Sequence, residues 1–267
     1  MYDTLDIGLL VSHLRETHHG PLFVVGFSMG AAKLTNFLGR TKTKSNVDGA
    51  CCICCPWDFT ENNSAVHKPN FVERCYHFII TNAVKLWVAL HYSALSKNKR
   101  LKKKSPAFRR TRSGLLWWMG THDMVSFDNT FTINWLGYDN VHEYYEAASP
   151  HNQLPNVTTP LLIINSRNDP LIPNVVNPGP EIMKDLPNAV AIECEYGGHI
   201  GFWTPFRGDW TAQCVISFIQ QPHLNQRNLS KARSKTGIRR KNSQQIAQML
   251  RVTSKTGLND YKGIERM

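Results

Sequence analysis

Residues 22–30 read Leu-Phe-Val-Val-Gly-Phe-Ser-Met-Gly, which is the pattern of a short strand, a turn and the start of a helix. The apolar run at 22–25 is too short for a helix and is typical of a buried parallel strand. Residues 29–38 then return to helical spacing, and Gly39 is positioned to end the helix. A serine flanked by glycines between a strand and a helix predicts a tight turn that exposes the hydroxyl of Ser28.

Short strands and helices alternate on both sides of this turn. An amphipathic helix is predicted over residues 5–18, and a second buried strand over 48–55. Strand patterns return at 161–164 and 189–194, and a final helix is predicted over 210–220. Buried strands joined to helices by short connections indicate an α/β fold, with a mostly parallel sheet and flanking helices.

Composition divides the chain into four parts. Residues 1–55 and 151–221 show the alternation of strands and helices, whereas residues 56–150 show only helical stretches. We predict that residues 56–150 form a helical cap inserted into the α/β core. Residues 222–267 are rich in Lys, Arg, Ser, Asn and Gln, which predicts a basic, disordered tail. The longest apolar segment, 75–92, falls short of the roughly 20 apolar residues of a membrane span, so no transmembrane helix is predicted.

The net charge of +11 is concentrated in two stretches. Residues 97–112, which begin with Lys97 and end with Arg112, carry nine basic residues and no acid, and residues 222–267 carry eleven against two acids. Basic strips on an acidic body suit an anionic membrane surface, which we expect as a partner, although the first strip is equally explained as a solvated loop. Nucleic acid is not the expected partner, and binding through the basic tail is kept as an alternative function.

The hydroxyl of Ser28 becomes a nucleophile only when a base removes its proton and an acid orients that base. In an α/β sheet of this kind the partners follow in the order Ser, acid, His, each after a strand. Asp169 and His199 both come directly after predicted strands in that order. We therefore predict the catalytic residues Ser28, Asp169 and His199, with Asp58, which also follows a strand, as the second choice of acid.

Four of the seven cysteines, Cys51, Cys52, Cys54 and Cys55, form overlapping C-x-x-C spacings. Successive side chains of a strand point to opposite faces, so these four cannot converge on one metal ion. We predict that they are small buried hydrophobes and that the protein uses no metal and no organic cofactor. The odd cysteine count and the lack of a secretory signal at the first residue indicate reduced thiols and an intracellular protein.

Longer motifs resemble the YheT-type branch of the α/β-hydrolase-domain (ABHD) family. They are Phe-Asp at 127–128, Phe-Thr at 131–132, Ala-Ser-Pro at 148–150, Pro-Leu-Leu-Ile-Ile-Asn at 160–165 and Tyr-Gly-Gly-His-Ile-Gly-Phe at 196–202. The resemblance covers about residues 3–220 and implies the α/β-hydrolase fold with a helical cap.

This branch includes monoacylglycerol lipases and phospholipases. The resemblance therefore implies a membrane-associated serine hydrolase that cleaves lipid acyl esters, such as monoacylglycerols or phospholipids, through an acyl-enzyme. When the family's catalytic roles are assigned to the matching positions of this sequence, the resemblance implies that Ser28 is the nucleophile, Asp169 the acid and His199 the base. The family often has two adjacent acids where this chain has Asn168 and Asp169.

The chain departs from the family at its beginning, where only 27 residues precede Ser28. We expect the early strands of the sheet to be missing, together with an upstream His-Gly loop, which leaves the amide of Met29 as the oxyanion-hole donor. Loss of one such donor typically lowers kcat by about 100- to 1000-fold. An N-terminally truncated chain of weak activity or stability is therefore expected, and a non-catalytic interaction protein is the alternative.

Overall fold

The computed structural model describes residues 4–60, 70–105, 108, 118, 120–204, 208–221 and 264–266. The chain forms two compact units, in which unit 1 comprises Met1–Asp58 and Ala148–Met267 and unit 2 comprises Phe59–Ala147. The insertion predicted at 56–150 overlaps unit 2, and its role as a cap stays a prediction.

The strands of the described residues are β1 (Phe23–Phe27), β2 (Gly49–Ile53), β3 (Leu161–Ser166), β4 (Ala189–Cys194), β5 (Trp203–Thr204), β6 (Gly208–Asp209) and β7 (Ile264–Arg266). The α-helices of the described residues are α1 (Leu5–Thr17), α2 (Met29–Thr41), α3 (Phe71–Leu90), α4 (Tyr92–Leu95), α5 (Lys99–Lys104), α6 (Met124–Phe127), α7 (Ile133–Leu136), α8 (Val141–Ala148), α9 (Pro180–Met183) and α10 (Trp210–Ile219), and a π-helical turn at Asp128–Thr132 joins α6 to α7.

Unit 1 is built on a sheet in the order β1-β2-β3-β4-β7, in which β1 to β4 are parallel and β7 is antiparallel to β4. Strands β2 and β3 are buried along their whole length, as parallel strands covered on both faces are. Within the described ranges β1 is an outer strand, and its side chains are only partly buried. The predicted α/β class with a mostly parallel sheet is confirmed.

The hydrophobic core of unit 1 lies where β2, β3 and β4 meet α10. Its buried members are small or branched apolar residues on these strands, in the loops that follow β2 and β3 and on α10, together with three aromatic residues: Cys51, Ile53, Cys54, Leu162, Ile164, Ile172, Val176, Ile192, Cys194, Cys214, Phe202, Trp210 and Phe218. Cys51, on β2, thus packs as an apolar side chain in this core. Cys52 is buried outside this cluster with its Sγ atom 3.3 Å from Thr35 Oγ1, and burial raises the pKa of its thiol to about 12.

Helix α2 corrects one expectation. The sequence predicts that Gly39 ends this helix, but the helix continues to Thr41, and Lys42, with φ 51°, follows it. A Cβ atom at Gly39 would lie 2.4 Å from the carbonyl oxygen of Gln153. Gly39 therefore permits a close approach between the helix and a loop, and it is not a stop signal.

Unit 2 is helical. Its longest helix, α3, begins with a capping box in which the Asn70 side chain accepts from the backbone of Glu73 and the Glu73 side chain accepts from the backbone of Asn70. The core of unit 2 is half aliphatic and half aromatic, and it contains Val88, Leu95, Leu101, Phe108, Phe127 and Phe131.

The C-terminal stretch predicted to be disordered begins at residue 222. Residues 222–263 and 267 lie outside the described residues, and β7 is the part of this stretch that is described. Strand β7 pairs with β4 from Ile264 to Arg266, so these three residues depart from the predicted disorder. Residues 106, 107 and 109–112 of the basic strip also fall outside the described part. Among the helices that are described, none has both the length and the apolar character needed to cross a membrane.

Candidate active site

Ser28 occupies the turn between β1 and α2. Its backbone has φ 50° and ψ −120°, a region that L-residues rarely adopt. The turn is held from both sides: the Ser28 N–H donates to the carbonyl of Ile53 at 2.8 Å, and its own carbonyl accepts from Ala31 and Ala32 in the first turn of α2. This strained turn presents the side chain of Ser28 at the carboxyl end of the sheet.

The two glycines that flank Ser28 have different roles. A Cβ atom at Gly26 would lie 2.7 Å from the Cα of Ala31 and 2.8 Å from the carbonyl oxygen of Gly30. The same atom at Gly30 would have no neighbour within 4 Å. Only Gly26 is therefore required by the packing of the turn.

A continuous row of hydrogen bonds joins Ser28, His199 and Asp169. The Oγ atom of Ser28 lies 2.9 Å from Nε2 of His199, and Nδ1 of His199 lies 2.8 Å from Oδ2 of Asp169. Ser28 follows β1, Asp169 follows β3 and His199 follows β4, so the parallel sheet brings their loops to the same edge. The structure thus brings together the three residues predicted from the sequence.

Asp169 is the best fixed of the three side chains. Its side chain is 1% exposed, and its Oδ1 atom accepts from the backbone N–H groups of Leu171 and Ile172 at 2.8 and 3.1 Å. Those donors anchor one carboxylate oxygen and leave the other to His199. A fixed carboxylate at Nδ1 selects the tautomer in which Nδ1 carries the proton, so that Nε2 is free to accept a proton from Ser28.

The amide of Met29 is the first N–H of α2, next to the Ser28 side chain. The first four N–H groups of a helix have no acceptor within the helix, and the helix dipole favours negative charge at this end. An anion that forms at a carbonyl attacked by Ser28 would meet this amide. The position of Met29 therefore suits the oxyanion role expected for it.

Cys54 also lies at this site, which the sequence did not predict. Ligand atoms of Cys54, Asp169 and His199 lie within 4.8 Å of one another, a spacing that suits a metal ion. Burial, with a smaller contribution from the charge of Asp169, raises the pKa of the Cys54 thiol to about 12. Both ring nitrogens of His199 already contact Ser28 and Asp169, so the hydrogen-bonded row engages the imidazole atoms that a metal ion would need.

Asn168 is a second residue whose position the sequence did not reveal. Its Oδ1 atom accepts from the backbone N–H groups of Gly197 and Gly198 at 3.0 and 2.9 Å, and from Ser166 Oγ at 2.6 Å. This side chain therefore bridges the loop that carries Asp169 and the loop that carries His199. The one feature of the sequence that could have indicated this bridging role is that Asn168 directly precedes Asp169.

Asp58, the second choice of acid, lies in a different environment. His151 Nδ1 is 3.6 Å from its Oδ2 atom, and Ser149 Oγ donates to its Oδ1 atom at 3.4 Å. The acid that contacts His199 is Asp169. The geometry thus favours the first choice of acid over the second.

Comparisons with known proteins identify a fold family and several relatives. The pattern of a family described as alpha/beta hydrolase fold matches residues 9–206. The chain is 27% identical over 230 residues to the medium-chain fatty acid ethyl ester synthase/esterase 2 of Saccharomyces cerevisiae, which is 82% of this chain and 50% of that protein.

Two further relatives are named as lipid hydrolases. A monoacylglycerol lipase of Saccharomyces cerevisiae is 27% identical over 222 residues, covering 82% of this chain and 47% of that protein. Phospholipase ABHD3 of Mus musculus is 27% identical over 219 residues, covering 80% of this chain and 47% of that protein. The chain spans about half the length of these relatives.

Proposed function

The chain belongs to the alpha/beta hydrolase fold family, and from that premise we propose that it is a serine hydrolase that cleaves carboxylic esters of lipids. The observation that carries the proposal is the hydrogen-bonded row of Ser28, His199 and Asp169. The relatives named as an esterase, a monoacylglycerol lipase and a phospholipase support a lipid acyl ester, such as a monoacylglycerol or a phospholipid, as the substrate.

In the proposed first step the Oγ atom of Ser28 attacks the ester carbonyl carbon. Nε2 of His199, 2.9 Å away, takes the hydroxyl proton as the new bond forms. The imidazolium is stabilised by the carboxylate of Asp169 at Nδ1. The negative charge on the former carbonyl oxygen is stabilised by the Met29 amide at the start of α2.

In the second step the tetrahedral intermediate collapses. The bond to the alcohol oxygen breaks, and His199 donates its proton to that oxygen, so the alcohol leaves and the acyl group stays on Ser28. Water then attacks the acyl carbon while His199 takes a proton from the water. Collapse of this second intermediate releases the fatty acid and returns the proton to Ser28.

We also propose that unit 2 contacts an anionic membrane surface. Helix α3 exposes an apolar stripe, defined here as Val72, Tyr76, Ile79, Leu86 and Leu90. Their spacing places them on one face of the helix. An exposed apolar face on a helix of this length supports insertion of side chains between lipid headgroups.

Charge in unit 2 supports the same partner. The described part of the basic strip exposes five lysines: Lys97, Lys99, Lys102, Lys103 and Lys104. Each basic residue near an anionic leaflet contributes about 1 kcal/mol to binding. A lipid hydrolase gains from this contact because its substrate lies in the same surface.

The substrate proposal is tested by fatty acid release from the purified 267-residue chain. The chain is incubated separately with a monoacylglycerol and with phosphatidylcholine vesicles, and free fatty acid is measured by mass spectrometry. We expect release from at least one substrate and none from Ser28→Ala. No release from either substrate would contradict the proposal and favour the non-catalytic alternative.

A further inference from the structure

The acid loop and the histidine loop are joined by the side chain of Asn168. Ser166, the last residue of β3, is buried and donates its hydroxyl proton to the Oδ1 atom of Asn168 at 2.6 Å. The same oxygen accepts from the backbone of Gly197 and Gly198. The end of β3 is thus connected, through one amide oxygen, to the residue that directly precedes His199.

The histidine loop needs such a connection. Glycines at 197, 198 and 201 surround His199, and glycine loses more conformational freedom on folding than any other residue. The neighbouring Tyr196 and Ile200 are exposed, and apolar packing is given by the ring of Phe202 against Gly197. Ile200 has φ 65°, an unfavourable value for a β-branched residue, so the loop conformation requires support from its surroundings.

We infer that Asn168 is a positioning residue that holds the His199 loop in the conformation from which the imidazole contacts both Ser28 and Asp169. The inference rests on the proposed function and extends it to a residue outside the row of three. Asn168 acts through the backbone of Gly197 and Gly198 and does not touch the reacting atoms. A misplacement of about 1 Å in a catalytic group lowers the rate by about 100-fold, so loss of the bridge has a measurable effect.

Two substitutions separate the acceptor from the rest of the side chain. Asn168→Ala removes the oxygen, and we expect kcat to fall by about 10- to 100-fold with KM unchanged. Asn168→Asp keeps an oxygen at the same position and should retain kcat at alkaline pH. Its added carboxylate favours the protonated imidazole, so the acid limb of its pH profile should move to higher pH. Asn168 is itself exposed, but Asn168→Ala also removes the acceptor of the buried Ser166 hydroxyl, whereas Asn168→Asp keeps it.

A matched control is available at the other end of β4. Asn188 precedes the first residue of that strand, and its Nδ2 atom donates to the carbonyl of Thr158 at 3.1 Å. Asn188→Ala therefore deletes the same side chain and also removes a contact between two loops. We expect it to leave kcat unchanged, because its loops lie at the opposite end of the strand from His199.

The inference is tested by hydrogen exchange of the peptide at residues 195–201, together with the kinetics. Loss of a hydrogen bond worth about 1 kcal/mol should make this peptide exchange about 5-fold faster in Asn168→Ala, with no change in Asn168→Asp or Asn188→Ala. Equal exchange in Asn168→Ala and the unaltered chain would overturn the inference. This readout needs no activity, so it remains decisive even if the unaltered chain hydrolyses nothing, which would refute the proposed function separately.

A second variant covers the case in which Asn168→Ala does not fold. If Asn168→Ala does not fold, Asn168→Ser is measured in its place, because serine is too short to span the two loops. Equal loss of kcat in Asn168→Ala and Asn168→Asp would also overturn the inference, since the second variant keeps the acceptor.

Discussion

The Nδ1 atom of His199 lies 2.8 Å from Oδ2 of Asp169, whose other oxygen is held by two backbone N–H groups. Asp169→Asn would present an amide to Nδ1 and favour the wrong tautomer of His199. We expect kcat to fall by about 10⁴-fold, as for the equivalent change in a serine protease. Steady-state hydrolysis of an activated ester measures the effect.

Asp58→Asn is the matched control for this prediction. Asp58 contacts His151 and Ser149, so its substitution should change kcat by less than about 10-fold. If Asp58→Asn lowered kcat as much as Asp169→Asn, the assignment of the acid would be wrong.

The two glycines that flank Ser28 should differ in their tolerance of alanine. Gly26→Ala places a methyl group against the backbone of α2, and we expect a loss of about 1–3 kcal/mol in the free energy of unfolding. Gly30→Ala has open space in a helix, so it should be neutral or stabilising by up to about 1 kcal/mol. Chemical denaturation of both variants checks this, and equal destabilisation would show that the turn is packed differently.

A buried carboxyl in unit 2 should make stability depend on pH. Burial raises the pKa of Asp128 from 3.8 to about 6, although Thr132 and Tyr145 donate hydrogen bonds to it. The native state then binds more protons than the unfolded state between about pH 4 and about pH 6. The contribution of Asp128 to stability therefore decreases as the pH rises through that window.

Asp128→Asn removes this titration. We expect the unaltered chain to lose stability relative to Asp128→Asn by about 3 kcal/mol between about pH 4 and about pH 6. Tryptophan fluorescence during denaturation reports on both units, because unit 2 contains Trp87 and Trp135 and unit 1 contains Trp57 and Trp210. The exposed Asp139→Asn serves as the control, and parallel pH profiles for Asp128→Asn and the unaltered chain would refute the prediction.

The apolar stripe of α3 should contribute to membrane binding. Ile79 and Leu86 are 63% and 59% exposed, and we expect the double change to serine to weaken binding to vesicles that contain phosphatidylserine by at least about 10-fold. Sedimentation with vesicles measures the bound fraction. Serine at Leu9 and Leu10 of α1, which are 71% and 58% exposed in unit 1, is the matched control. Equal loss in both double variants would show that exposure alone, and not this stripe, governs the binding.

Local sequence patterns predicted most of the α/β core. The run at 189–194 matches β4 at both ends, because continuous apolar runs between polar loops are typical of parallel strands. The predicted end of α2 at Gly39 was wrong, because a glycine that admits a neighbouring loop has the same local sequence pattern as a glycine that ends a helix. Contacts distant in sequence decide between these two roles.

The candidate site was predictable to the extent that it follows strand ends. The serine turn motif, chain order and strand ends pointed to Ser28, Asp169 and His199, because a parallel sheet collects the residues that follow its strands, but the same criteria also admitted Asp58 as an acid. The bridge from Asn168 and the position of Cys54 depend on loop dihedrals, which spacing does not encode. The catalytic roles of the three residues remain predictions until chemistry is measured.

Labelling by a fluorophosphonate measures whether Ser28 is an activated nucleophile. The reagent bonds covalently to a serine whose proton a base can remove. We predict labelling of the 267-residue chain on the peptide that contains Ser28, loss of labelling in Ser28→Ala, and full labelling in the exposed control Ser93→Ala. An unlabelled chain, or label that persists in Ser28→Ala, would contradict the account.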